Sequence, residues 1–313
     1  MSIQLGVVLP LLWKPDLPVE ACEHIVRVAQ EVDRSGFASL WLEDHLISPV
    51  QPEQALFECW MTTAALARET ERIRIGQLVT CNSFRHPALL AKMASTVDVL
   101  SHGRLTVGLG AGWFEREYRA YGYEYPDTSE RVRQLREAAQ VLLALWTQEE
   151  ATFEGKYYRL RGAINQPGGV QQPHIPLLIG GKGEHATLKI VAQYADACNF
   201  THLSYPSPEE LQRKLALLRT YCEALGRDYR TIKKTLFMQG VVAETDQEAE
   251  ALVRQESGKF TPEEMRVRGL LGSPETIRSR LTELEQAGVE EVMVVLRGVT
   301  TLEPLRLLAT CLP

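Results

Sequence analysis

Residues 73–110, "IRIGQLVTCNSFRHPALLAKMASTVDVLSHGRLTVGLG", hold a complete strand–helix–strand unit. The run at 73–80 is short, apolar and rich in β-branched residues, which reads as a strand. Pro87 suits the first turn of a helix, where its missing N–H forfeits no hydrogen bond, and the apolar spacing beyond it predicts a helix over 87–100. "RLTVGLG" at 104–110 reads as the next strand. Strands joined through a helix run parallel, so the fold depends on how often this unit repeats.

It repeats in both directions. Toward the N-terminus lie a strand at about 3–9, a helix over 18–35 with Pro18 in its first turn and Gly36 just past its end, a strand at 38–43 and a helix near 54–69. Beyond the unit a long helix is predicted over 128–147. The pattern pauses at 150–173, where "ATFEGKYYRL" looks like a small hairpin around Gly155. It resumes with "IPLLIG" (175–180), a helix at 184–194, "DACNF" (196–200), a helix at 208–225, "TIKKTLFMQGVVAE" (231–244) and further helix. Ser273-Pro274-Glu275 is a helix start, with serine placed to cap exposed amides, and that helix runs to about 287. "VEEVMVVL" (289–296) is the last strand. Eight strands with a helix after nearly every one predict a closed (β/α)8 TIM barrel: one α/β domain over 1–313 with a small insertion at about 150–173 between strands four and five. In such barrels the chemistry sits where strands end.

Composition narrows the partners. The 313 residues are 45% hydrophobic and 24% charged, with a formal charge of −6, which is ordinary globular composition. No basic stretch is long enough to track a phosphate backbone, so nucleic acid is not an expected partner. No apolar run approaches the ~18 residues that span a bilayer. "MSIQLGVVLPLLW" lacks a basic start and a small-residue cleavage site, so it reads as a first core strand rather than a signal peptide. The six cysteines stand singly without a CxxC pair. They read as reduced thiols in a cytoplasmic protein.

Polar groups gather at the strand ends. "SLWLEDHL" (39–46) passes from buried strand to Glu43, Asp44 and His45 without a turn residue. A metal site, an acid/base pair and a plain polar strand end all fit that triplet alone. After strand three come Asn82, Arg85 and His86; after strand four, Gly110, Gly112, Glu115 and Arg116; after strand five, Gly180, Gly181, Lys182 and Gly183. Gly-Gly-Lys-Gly between a strand and a helix reads as a phosphate cradle of backbone amides, helix N-terminus and lysine. A plain glycine-rich turn is the competing reading. It is not a Walker motif, and "GLGAG" is not a dinucleotide fingerprint, because its third glycine comes one residue early. His45 and His86 invite a metal, but His174, His185 and His202 lack ligand spacing, and no metal is expected. Trp13, Trp113, Phe114 and Tyr118 either wall a planar ligand or cap the barrel mouth.

Four blocks, "SLWLEDHL", "TCNSFRHPALLAKMASTVDVLSHGRLTVGLGAGWFEREYRAYG", "LLIGGKGEHATLKIVAQYADACNF" and "GSPETIRSRLTELEQAGVEEVMVV", resemble the luciferase-like monooxygenase superfamily, most of all its coenzyme F420-dependent branch. The resemblance implies a (β/α)8 barrel, a homodimer, and a flavin or deazaflavin across the mouth. It places the cofactor phosphate at Gly180, Gly181, Lys182 and Gly183. A non-prolyl cis peptide under the ring falls at Leu78-Val79, with Thr80 and Asn82 near the ring edge and close backbone approach at Gly110 and Gly112. His45 matches a histidine proposed to move the proton that accompanies hydride transfer, and Asp44 beside it is expected to face the cofactor. Glu43 is assigned to packing or a polar network. Deazaflavin sugar-phosphate dehydrogenases carry a glutamate where this chain has Trp113. Glu115, two residues on, is the candidate cofactor contact in its place, and this departure argues against their substrate. The implied activity is hydride transfer between F420 and a small organic substrate. Alternatives are an FMN-dependent monooxygenase using oxygen and a flavin-binding protein without turnover.

Overall fold

A computed structural model of the chain describes residues 3–9, 12–13, 17–49, 52–201, 208–255, 260–296 and 302–312. His202 and much of the 10–17 and 200–206 loops therefore lie outside the described residues, as does the side chain of Trp13. Eight parallel strands close into a barrel: β1 (Gln4–Leu9), β2 (Ser39–Leu42), β3 (Arg74–Gln77), β4 (Leu105–Gly110), β5 (Leu177–Gly180), β6 (Ala197–Thr201), β7 (Lys233–Val242) and β8 (Glu291–Leu296). Each pairs with its sequence neighbour, and β8 returns to β1 with Gly6 opposite Met293. The expected insertion is present as a two-stranded antiparallel hairpin, Ala151–Glu154 with Arg159–Ala163.

The helices form the outer layer: α1 (Pro18–Arg34), α2 (Cys59–Glu69), α3 (Pro87–Leu100), α4 (Glu115–Ala120), α5 (Thr128–Thr147), α6 (Thr187–Tyr194), α7 (Pro208–Ala224), α8 (Asp246–Gln255), α9 (Pro262–Arg268), α10 (Pro274–Gln286) and α11 (Glu303–Ala309). α1 shows the logic. Ala21, Ile25, Val28, Ala29 and Val32 recur at three- and four-residue spacing and are all buried, which puts one apolar stripe on the barrel. α2 starts at Cys59 rather than near 54, because Ala55–Leu56 pairs with Leu12–Trp13 and the Glu58 side chain then accepts the Met61 amide. The helix α4 was not expected at all. The third expected strand arrives in two pieces. After Gln77 the Leu78-Val79 peptide bond is cis, and Thr80–Cys81 rejoins the sheet beside Leu109 and Gly110.

Strand alternation divides the core in two. Leu5, Leu40, Leu42, Ile75 and Leu109 face the helices. Val8, Trp41, Leu78, Leu178, Ala197, Phe237 and Met293 fill the barrel interior. Below them the floor is polar and satisfied. The Trp41 indole N–H donates to Ser39 Oγ at 2.6 Å, Ser39 donates to Glu291, and Lys233 meets the second Glu291 oxygen at 2.5 Å.

The cis bulge is seated by glycines. A Cβ on Gly110 would stand 2.6 Å from a Val79 methyl, and one on Gly180 3.0 Å from the other. At Gly108 a Cβ would lie 1.9 Å from the Gln77 carbonyl oxygen. That neighbour is backbone and cannot swing aside. Gly108→Ala is therefore expected to destabilise the fold by about 1–3 kcal/mol, the usual cost of overpacking. An unchanged thermal midpoint would show that the bulge is not held by this contact.

Candidate active site

Alternation sends the three residues after β2 in different directions. Asp44 continues the outward row of Leu40 and Leu42. Its carboxylate takes both nitrogens of Arg85, at 2.6 and 3.0 Å, and also the Cys81 amide at 2.8 Å. Arg85 reaches on to Glu58 at 3.3 Å. The carboxylate expected to face the cofactor is therefore already occupied, by Arg85 and the Cys81 amide. What it holds is the start of the Thr80–Cys81 segment, just past the bulge.

His45 stands on the mouth side. Its Nδ1 lies 3.2 Å from both oxygens of Glu117, which is 2% exposed. Glu117 also accepts the amides of Leu46 at 2.5 Å and Ile47 at 3.3 Å. One carboxylate thus fixes both the loop after β2 and the imidazole, and it leaves Nε2 as the ring nitrogen open to a ligand. Trp113 and Phe114 stand edge-on to the imidazole at 5.9 and 6.2 Å. Burial alone would lower the His45 pKa. The hydrogen bond and charge of Glu117 are the chief influences that oppose it, and the pKa is held above its ordinary value.

Other expected residues fall differently. The Glu115 carboxylate lies on the surface and pairs with Arg119 at 2.6 Å, one turn along α4, so the helix that carries it turns Glu117 to the histidine instead. Thr80 is fully buried and accepts the Trp60 indole N–H at 3.1 Å, facing α2 rather than a ring edge. Asn82 donates to the Tyr158 hydroxyl at 3.1 Å, while its buried Oδ1 has no partner. Gly112 has φ +76, and a Cβ there would fall 1.8 Å from Tyr118 Oη. This glycine admits a tyrosine, as Gly110 and Gly180 admit Val79. Tyr118 itself is fully buried against Phe84 and belongs to packing.

The Gly-Lys-Gly loop does not open directly into a helix. A turn at 184–186 intervenes before α6, and Gly181 and Gly183 pack against Thr187. Even so, among the described residues no internal acceptor takes the amides of Lys182 or Gly183, and the Lys182 ammonium is exposed and unpaired. Those donors, the orphaned Asn82 oxygen and the open His45 nitrogen fit a ligand with an anionic tail and a polar ring. Metal ligation finds less support. His86 caps α3 by accepting the Ala88 amide at 3.2 Å. Among the described residues no group of three or more His, Cys, Asp or Glu could hold a metal ion. No helix of the described residues is long and apolar enough to cross a membrane. A cleft of about 1230 Å³ opens at the opposite end of the barrel, but its lysines 233 and 234 are already paired with Glu291 and Glu290.

The family described as luciferase-like monooxygenase matches residues 3–267. The chain belongs to that family. An F420-dependent glucose-6-phosphate dehydrogenase of Amycolatopsis mediterranei is 35% identical over 184 residues, 57% of this chain and 50% of the relative, so the match spans half of that enzyme's length. An FMNH(2)-dependent dimethylsulfone monooxygenase of Pseudomonas putida is 27% identical over 237 residues, 76% of this chain and 63% of the relative. Among solved structures, an F420-dependent secondary alcohol dehydrogenase superposes with TM-score 0.84 at 18% identity, covering 100% of this chain and 99% of that one. That likeness concerns the fold. The family is one of oxidoreductases and monooxygenases acting with F420 or FMN on small molecules.

Proposed function

We propose that this luciferase-like protein is an F420-dependent oxidoreductase acting on a small organic substrate. The observation that carries the reading is the His45–Glu117 pair at the barrel mouth, beside the Leu78-Val79 bulge and with Nε2 open. Bound there, the deazaflavin would supply the hydride acceptor or donor. The protein's part is to hold and move the accompanying proton. A histidine whose pKa is held above its ordinary value is a stronger base than a free imidazole, able to give a proton when substrate is reduced and to take one when substrate is oxidised. Lys182 and the amides of Lys182 and Gly183 would receive the cofactor phosphate, and Trp113 and Phe114 would close the pocket beside the imidazole. The Amycolatopsis relative supports this choice of cofactor. The reading carries with it a cytoplasmic homodimer.

The Pseudomonas putida relative favours a second reading, an FMN-dependent monooxygenase using oxygen. Parallel titrations with F420 and FMN separate the two. The first reading expects micromolar F420 to bind and to be reduced by an alcohol or related donor. Binding of FMN alone would reject it in favour of the second.

A further inference from the structure

Three carboxyl groups stand at the end of β2 and the start of α4, and two basic side chains answer them. Asp44 holds Arg85, and Glu117 holds His45. Glu43 is left over. Among the described residues no hydrogen-bond donor reaches its carboxylate, yet it is partly buried. Its place follows from the register. Ser39 lies opposite Arg74 and Trp41 opposite Gly76, so Glu43, two residues past Trp41, continues the inward row and comes level with Leu78 at the cis bulge. A carboxyl on this row points into the barrel mouth.

Among the described residues, the charges around it leave the anion without a counter-ion of its own. His45 and Asp44 share its segment, and Glu117 approaches from α4. Arg85 and Glu58 lie on the outward side beyond Asp44. Cys81 follows the bulge with its thiol pushed up to about 12 by burial, and Lys182 lies beyond β5. Taking an unpaired carboxylate out of water is costly, and the group neutralises instead. Burial pushes the Glu43 pKa above the usual carboxylate range, and His45 pulls the other way.

We propose that Glu43 meets the bound cofactor as a neutral carboxylic acid and donates its O–H to a carbonyl oxygen of the ring seated over the Leu78-Val79 bulge. This rests on the reading of the mouth as a flavin-type site, but not on the choice between F420 and FMN. A protonated carboxyl is a donor; the ionised form offers only acceptors and would repel a ring carbonyl. Ring affinity is then full below the Glu43 pKa of the free protein. Above it, affinity falls about tenfold per pH unit until the higher pKa of the complex is reached.

The test compares wild type with Glu43→Gln, whose amide N–H donates at every pH. F420 and FMN are each titrated against both proteins across the pH range, and glutamate carboxyls of the ligand-free proteins are followed by carbon-13 NMR. The expected result is a falling affinity in wild type and a flatter profile in Glu43→Gln. One carboxyl should titrate above the others in wild type and be absent from the variant. The same pH slope in both proteins would overturn the proposal, as would a ligand-free Glu43 titrating in the ordinary range. If neither ring binds, the flavin-type reading of the mouth fails, and the carbon-13 titration alone decides whether Glu43 is kept neutral.

Discussion

Arg85→Met should cost about 3–5 kcal/mol of folding stability, the expected effect of removing one partner from a buried ion pair. The Asp44 side chain is 1% exposed and gives both oxygens to Arg85. Without the guanidinium, the Cys81 amide is its one remaining donor among the described residues. A charge stranded in that position has no route to water. The loss is measured by urea unfolding, and a double variant identifies its cause. Arg85→Met combined with Asp44→Leu removes both charges and should recover much of the single variant's loss, because the penalty lies in the orphaned carboxylate more than in the missing attraction. A single-variant loss below about 1 kcal/mol, as for exposed pairs, would show that Asp44 reaches solvent after all.

His45→Ala should lower turnover by about 10²–10⁴-fold, the usual contribution of a positioned proton donor or acceptor. Cofactor affinity should change much less, since the groups proposed to receive the phosphate, at Lys182 and Gly183, are untouched. Glu117→Gln tests the pair from the other side. Glu117 is what holds the His45 pKa up against burial. An amide keeps an acceptor for the loop but loses the charge, so the limb of the pH–rate profile that reports His45 should move toward acid. A profile that stays in place, with turnover reduced, would assign Glu117 to loop anchoring alone. Normal turnover by His45→Ala would end the proton-transfer reading.

The barrel was legible because its signal is local and repeated. Pro18, Pro87 and Pro274 each stand in the first turn of a helix, and eight short apolar runs alternate with helices along the chain. The mouth was legible only in part. That His45 lies at the rim follows from where β2 ends. That Asp44 continues the row of Leu40 and Leu42 follows from period-two alternation in "SLWLEDHL", but its partner Arg85, 41 residues on, does not. Glu117 was missed for a different reason. It lies 72 residues from His45, on a helix of six residues too short to announce itself by periodicity. The glycines that end β4 and β5 were legible only in part. A sequence says that something approaches Gly110 and Gly180 closely, but not that the visitor is Val79.

Trp41 packs inside the barrel against Gly76 on one neighbouring strand and close to Gly6 on the other, in one cluster with Phe237 and Met293. That cluster is a partition. Side chains from several strands thus close the centre of the barrel, so it is a packed core and not a pore: a ligand at the mouth would rest on this layer and could not pass through to the polar floor at Glu291.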